Sequence, residues 1–259
     1  MRAGWDVLVL LLFAPAAGFA VEVPASGGYF PYFADGAGWT TTFHLTCMSS
    51  SGCIADIAVY GSDGRNLPVR MKVTTSEFGN DVVQDVAGAR FNLQLYRFSS
   101  VMLQTLGTAP SLTTGSLDMT ANGPMAGFAV LRQRAEGRAD YEATVPIEPR
   151  SFYDSGTVAF DHRGGGATGI AVANLSATSS AEIRVQGLDL GGNILFSTVL
   201  TLEARNSMAF DAALRYPETR NRAGIIRFFV PGGAIGGMAF RFNPTGPFTT
   251  TPFFTNDNR

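Results

Sequence analysis

Gly115-Ser-Leu-Asp-Met-Thr-Ala-Asn-Gly-Pro-Met-Ala-Gly-Phe-Ala-Val-Leu-Arg132 decides the fold, because the chain carries it twice. The second copy is Gly224-Ile-Ile-Arg-Phe-Phe-Val-Pro-Gly-Gly-Ala-Ile-Gly-Gly-Met-Ala-Phe-Arg241. Without a gap, Gly115 falls on Gly224, Gly123 on Gly232, Gly127 on Gly236 and Arg132 on Arg241. Each copy reads as a strand, a turn at Asn-Gly-Pro or Pro-Gly-Gly, and a returning strand, which together predict a β-hairpin. Such a unit cannot bury its own apolar face, so further strands must cover it.

Those strands can be read on both sides of the repeat. Tyr29 to Phe33 is an aromatic first strand, followed by a turn at Ala34–Gly38. From Trp39 to Cys47 the residues alternate, with Trp39, Thr41, Phe43, Leu45 and Cys47 on one face of a half-buried strand. Ile57 and Val59 point inward on the next strand, and Ala58 and Tyr60 outward. Ser62-Asp63-Gly64 then turns the chain into Leu67–Val73. The later part repeats this order, with Ile170 and Val172 in place of Phe43 and Leu45, and Ile183 and Val185 in place of Ile57 and Val59. Ala212–Tyr216, ahead of Pro217, predicts one helical turn. The offset between copies falls along the chain, so the first carries about 17 residues, between Thr74 and Arg90, that the second lacks. Strands every 8–12 residues in units of this size predict antiparallel sandwiches. The expected organisation is a leader at 1–20 and β-sandwich domains at 21–148 and 149–259, joined near Ile147–Arg150 by a linker too short to let them separate.

Composition agrees. Apolar residues make up 46%, charged residues only 15%, and there are 30 glycines, a profile of short strands and tight turns. Arg2, the apolar run Val7–Phe13 and Gly18-Phe19-Ala20 read as an export signal, and nothing later is apolar for long enough to span a bilayer. The expected location is therefore outside the cytoplasm: secreted, periplasmic or on the cell surface. The net charge is −2, and removing Arg2 and Asp6 with the leader leaves it there. A nucleic-acid binder would need clustered positive charge instead. Cys47 and Cys53 flank Met-Ser-Ser-Ser-Gly, and in an exported chain they are expected to form a disulfide.

Phe33-Ala-Asp-Gly-Ala-Gly-Trp-Thr-Thr41, Ala126-Gly-Phe-Ala-Val-Leu-Arg132, Ala173-Asn-Leu-Ser-Ala-Thr178 and Arg241-Phe-Asn-Pro-Thr-Gly246 carry a family likeness. In these stretches the chain resembles secreted bacterial proteins of uncharacterised function built from tandem Ig-like β-domains. The resemblance implies an all-β fold of two tandem Ig-like antiparallel sandwiches. It brings no catalytic or ligand residues, and the 74–90 segment and the two cysteines depart from its pattern.

Residue chemistry points away from catalysis. The only histidines, His44 and His162, occupy nearly matching places in different units, and read as two surface residues and not a shared metal site. No G-x-S-x-G elbow and no H-E-x-x-H occurs. Gly164-Gly-Gly166 precedes a strand, so it reads as a turn, not a phosphate cradle. Asp140 and Glu142 are expected to pair with Arg132, Arg134 and Arg138 as a solvated patch. Asp63–Asn66 and Asp189–Asn193 read as hairpin turns, and Asn174-Leu-Ser176 as a chance sequon. Neither a metal nor a cofactor is expected. The aromatics at 29–33 and 248–254 either fill the core or form a sugar platform, with core the stronger reading.

The expected function is that of a non-catalytic secreted or surface-associated module, meeting an extracellular protein or a polysaccharide. A carbohydrate-binding accessory role is the alternative, and a hydrolase with an unrecognised site ranks third. The expected partner-facing element is the 74–90 segment, with Glu77, Phe78, Asp81 and Asp85 as its candidate contacts and Gly79-Asn80 as its turn.

Overall fold

The computed structural model describes residues 22–23, 27–77, 80–134, 136–137, 139–149 and 153–255, so the leader 1–20 and Phe78 lie outside the described residues. The first half contains β1 (Glu22–Val23), β2 (Gly28–Asp35), β3 (Trp39–Cys47), β4 (Cys53–Gly61), β5 (Val69–Glu77), β6 (Asn80–Gly88), β7 (Arg90–Leu95), β8 (Ser100–Thr105), β9 (Thr113–Ala121), β10 (Met125–Gln133), β11 (Tyr141–Pro146) and β12 (Glu148–Pro149). The second contains β13 (Ser155–Asp161), β14 (Ala167–Asn174), β15 (Ala181–Asp189), β16 (Ile194–Leu202), β17 (Ser207–Asp211), the single helical turn α1 (Ala212–Arg215), β18 (Ala223–Phe229), β19 (Ile235–Phe242) and β20 (Phe248–Thr251). Asp211 caps α1, its carboxylate accepting from the Leu214 N–H.

The strands form four antiparallel sheets. In the first half, β12-β2-β9-β4-β7 faces β10-β3-β8-β5-β6, with β1 and β11 both pairing on β10. In the second half, β13-β18-β15-β16 faces β17-β14-β19-β20. The two plans superimpose strand for strand: β2, β9, β4 and β7 correspond to β13, β18, β15 and β16, while β8, β3, β10 and β11 correspond to β17, β14, β19 and β20. Besides the two-residue strands β1 and β12, the surplus is the β5–β6 hairpin, which adds two strands to the edge of one sheet.

The doubled stretch is equivalent in both halves, but it is not a hairpin. β9 and β10 belong to facing sheets, as do β18 and β19, so each copy is an arch over the core. Asp63–Asn66 is an arch too, since β4 and β5 lie in opposite sheets. Asp189–Asn193 does close a hairpin, between β15 and β16, with the Asp189 carboxylate accepting from the N–H groups of Gly191 and Asn193. Glycine turns suit either connection. The choice is set by distant partners: β4 and β2 for β9, and β15 and β13 for β18. The same pairing explains two of the matched glycines. A Cβ on Gly115 would strike the carbonyl oxygen of Tyr60, and one on Gly224 the carbonyl oxygen of Leu188, at the equivalent place on the neighbouring strand.

Apolar side chains between the facing sheets form two clusters. Phe43, Leu45, Ile57 and Val59 fall in one, and Ile170, Val172, Ile183 and Val185 in the other. In β2 the pairing register shifts between Phe30 and Phe33, which turns both rings inward against Phe43. That bulge leaves Tyr29 and Tyr32 on the opposite face, toward the second half. Cys47 and Cys53 are joined, tying the end of β3 to the start of β4.

The halves are packed together. Tyr32 meets Phe240 edge-on with ring centroids 6.0 Å apart, and Phe248 sits among Trp39, Tyr141, Phe240 and Phe242. Ala171, Met238, Phe240 and Phe248 accordingly belong to the first half's cluster. β14 and β19 are therefore buried on both faces, and their sequences run almost continuously apolar. Ala58 and Tyr60, expected to face solvent, are buried as well. Arg205 lies 5.0 Å from the centre of the Tyr60 ring, and the Ser207 N–H donates to the Ser62 carbonyl, so this sheet's outer face is covered in part by the second half.

Close strand approach at the repeated glycines makes a specific prediction. Gly224→Ala should destabilise by about 2–4 kcal/mol, because the added methyl meets backbone that cannot yield. Gly232→Ala, where φ is +66° but the space is open, should cost about 1 kcal/mol. Urea unfolding of the two variants checks this, and equal losses would refute the close-approach argument.

Candidate interaction surface

The 74–90 segment becomes an excursion hairpin. β5 and β6 pair from Val69↔Gly88 to Glu77↔Asn80, and β5 pairs in turn with β8. Of the four candidate contacts, Asp81 and Asp85 are exposed on β6, the Glu77 backbone closes the hairpin, and the Glu77 side chain and Phe78 lie outside the described residues. Alternation puts Val86 against the core and Asp81, Val83 and Asp85 on the outer face. The hairpin extends below the expected segment: Val69 and Met71 are core residues, so the insertion is part of the fold as well as an addition to it.

Strand register aligns an exposed row across this face. Pro146 lies opposite Phe128, Phe128 opposite His44, His44 opposite Met102, Met102 opposite Thr74, and Thr74 opposite Val83. Six strands at about 4.8 Å spacing make the row roughly 24 Å wide. Val83 is 57% exposed, Phe128 41% and Met102 38%. His44 and Phe128 stack with centroids 4.6 Å apart and planes 11° from parallel, forming one flat plate. Partial burial holds the His44 pKa below its ordinary value of 6.5, so the plate is uncharged at neutral pH.

Other candidate groups are dispersed. His162 is buried, not on the surface as expected; its Nδ1 lies 3.1 Å from the Thr219 carbonyl, under the 217–219 turn. It is in the opposite half from His44, and among the described residues no three His, Cys, Asp or Glu side chains converge as metal ligands would. Arg132 pairs with Asp140 at 2.6 Å and with Glu142 at 3.7 Å, which is the Arg132 part of the expected charge patch; Arg138 lies outside the described residues. Asn174 is buried and donates to the carbonyls of Ser179, Leu202 and Glu203, which makes it a structural strut.

The terminal aromatics divide. Tyr29, Phe30, Phe33 and Phe248 are buried, whereas Phe254 is exposed. Tyr32 joins Trp39, Phe210, Phe240 and Phe242 along a cleft of about 400 Å³ at the junction of the halves, with Asp211 at its side. Three features escaped the sequence reading: this cleft, the cross-strand row, and the exposed pair Tyr96 and Phe98 between β7 and β8. Each depends on which distant strands become neighbours. No protein-family model matches the chain, and no curated protein matches it either.

A partly buried carboxyl marks the connection between the halves. Glu148, on β12, pairs with Tyr29 of β2, and burial pushes its pKa from 4.5 up to about 7. The native state therefore holds a proton that the unfolded chain releases above pH 4.5, and this stability is lost as pH rises through about 7. Glu148→Gln should stabilise by up to about 2 kcal/mol at pH 8, raising the thermal midpoint by several degrees, and leave it nearly unchanged at pH 4. Scanning calorimetry at the two pH values checks the sign.

Proposed function

We propose that the protein is a non-catalytic, secreted or surface-associated interaction module of two tandem Ig-like units, whose partner-facing element is the inserted hairpin with the sheet face it widens. The observation that carries this reading is the exposed row from Pro146 to Val83, whose last two strands are the ones the second half lacks. Phe128, His44 and Met102 offer a flat, uncharged surface, and Val83 is flanked by Asp81 on one side and by Asp85, which lies opposite Lys72, on the other. That combination suits an extracellular protein carrying an apolar strip with basic residues at one end. The alternative of a polysaccharide ligand draws on the aromatic cleft, where Trp39 and Tyr32 could stack on a sugar ring beside the Asp211 carboxylate.

Because Val69, Met71 and Val86 pack on the core, point substitutions test the hairpin better than excision. Val83→Lys combined with Phe128→Lys should leave thermal unfolding within a few degrees of wild type and weaken binding to cell-surface fractions by about tenfold or more. Phe210→Ala should leave that binding intact and instead weaken retention on polysaccharide if the cleft is the site. A lysine double variant that folds and binds like wild type rules out the sheet face.

A further inference from the structure

A second exposed surface lies at one end of the first half, where three loops are laced together. The Cys47 N–H donates to the Ser99 carbonyl, the Met48 N–H to Pro124, and the Asn122 N–H to Ile54, while the Ile54 N–H donates to the Asn122 side chain. Gly52 packs so close to the 95–97 backbone that a Cβ would lie 2.9 Å from the Leu95 carbonyl oxygen. The Cys47–Cys53 disulfide closes the first of these loops. From this braced base Tyr96 projects 80% exposed and Phe98 64% exposed, with Met48 and Ile54 exposed beside them. Phe98 has φ of +55°, a left-handed conformation that a bulky residue adopts at a cost and that Asn or Gly would adopt more readily. The backbone is thus strained to hold an aromatic ring in water.

We propose that this tip, residues 48–52, 96–99 and 122–124, docks on the surface of an anionic phospholipid bilayer. The composition of the tip chooses that occupant. The three loops contain serine, asparagine and glycine but no carboxylate, and Arg97, between the two rings, is their single charge. Aromatic side chains at headgroup depth with an adjacent cation are what an anionic interface accepts. The sheet face from Pro146 to Val83 is a separate surface and takes no part.

The test uses the full chain with vesicles of phosphatidylglycerol and phosphatidylcholine or of phosphatidylcholine alone. The indole introduced by Phe98→Trp should shift to the blue with the anionic vesicles and be quenched by brominated acyl chains. The double variant Tyr96→Ser with Phe98→Asn should melt no lower than wild type and partition about tenfold less onto anionic vesicles. Arg97→Ser should weaken partitioning and its dependence on salt together. Every variant keeps the same N-terminus, so any contribution from residues 7–13 is common to all. Unchanged indole emission, or equal partitioning of the double variant, overturns the proposal. So does a tip that responds only to added protein. If the double variant fails to fold, quenching of the introduced indole decides the matter alone.

Discussion

Tyr29 and Tyr32 press the first half's outer sheet face onto β14 and β19, and much of the molecule follows from this contact. A Cβ on Gly236 would strike the Tyr29 ring, so the second half must present glycine there, and Ala171 and Met238 line the same seam. The bulge in β2 makes the contact possible by turning Phe30 and Phe33 inward and their tyrosine neighbours outward. Glu148 is partly buried as a consequence, and Tyr60 goes under Arg205. With one face of the first half committed to its neighbour, the opposite sheet keeps its outer face toward solvent, and the inserted hairpin widens that sheet.

Alternation from Trp39 to Cys47 made the inward residues legible, because a strand with one wet face must separate its side chains by parity. The offset shared by this pair of strands then transferred Phe43 and Leu45 onto Ile170 and Val172 without further information. Whether Asn122-Gly-Pro124 closes a hairpin or arches to the facing sheet was not legible, since glycine and proline permit both. Ala58 and Tyr60 show the same limit: alternation says which residues face away from the core but not what covers them. His44 became part of an aromatic plate only when Phe128, far along the chain, paired beside it. Asp81 and Asp85 could be placed on a hairpin from local sequence alone, because β5 and β6 are neighbours in the chain.

The two candidate surfaces differ in how they are held. The sheet face is rigid because its residues stand on paired strands whose other side is core. Tyr96 and Phe98 stand on a loop between β7 and β8, braced by backbone bonds to its neighbouring loops and by one covalent link among them. Reduction of that link would loosen the tip and leave the sheet face as it is.

The seam also sets an order in time. β2 is among the first strands to leave the ribosome, yet its outward tyrosines meet β19 only after roughly 200 further residues, about 10–40 s at ordinary rates of synthesis. Over that interval a nascent first half can pair its own strands and still display Tyr29, Tyr32 and Tyr60 to its surroundings. Any factor that shields newly made chains would find its target there and lose it when the second half arrives. The last strands made would thus release the first from custody, tying completion of the chain to its independence from such helpers.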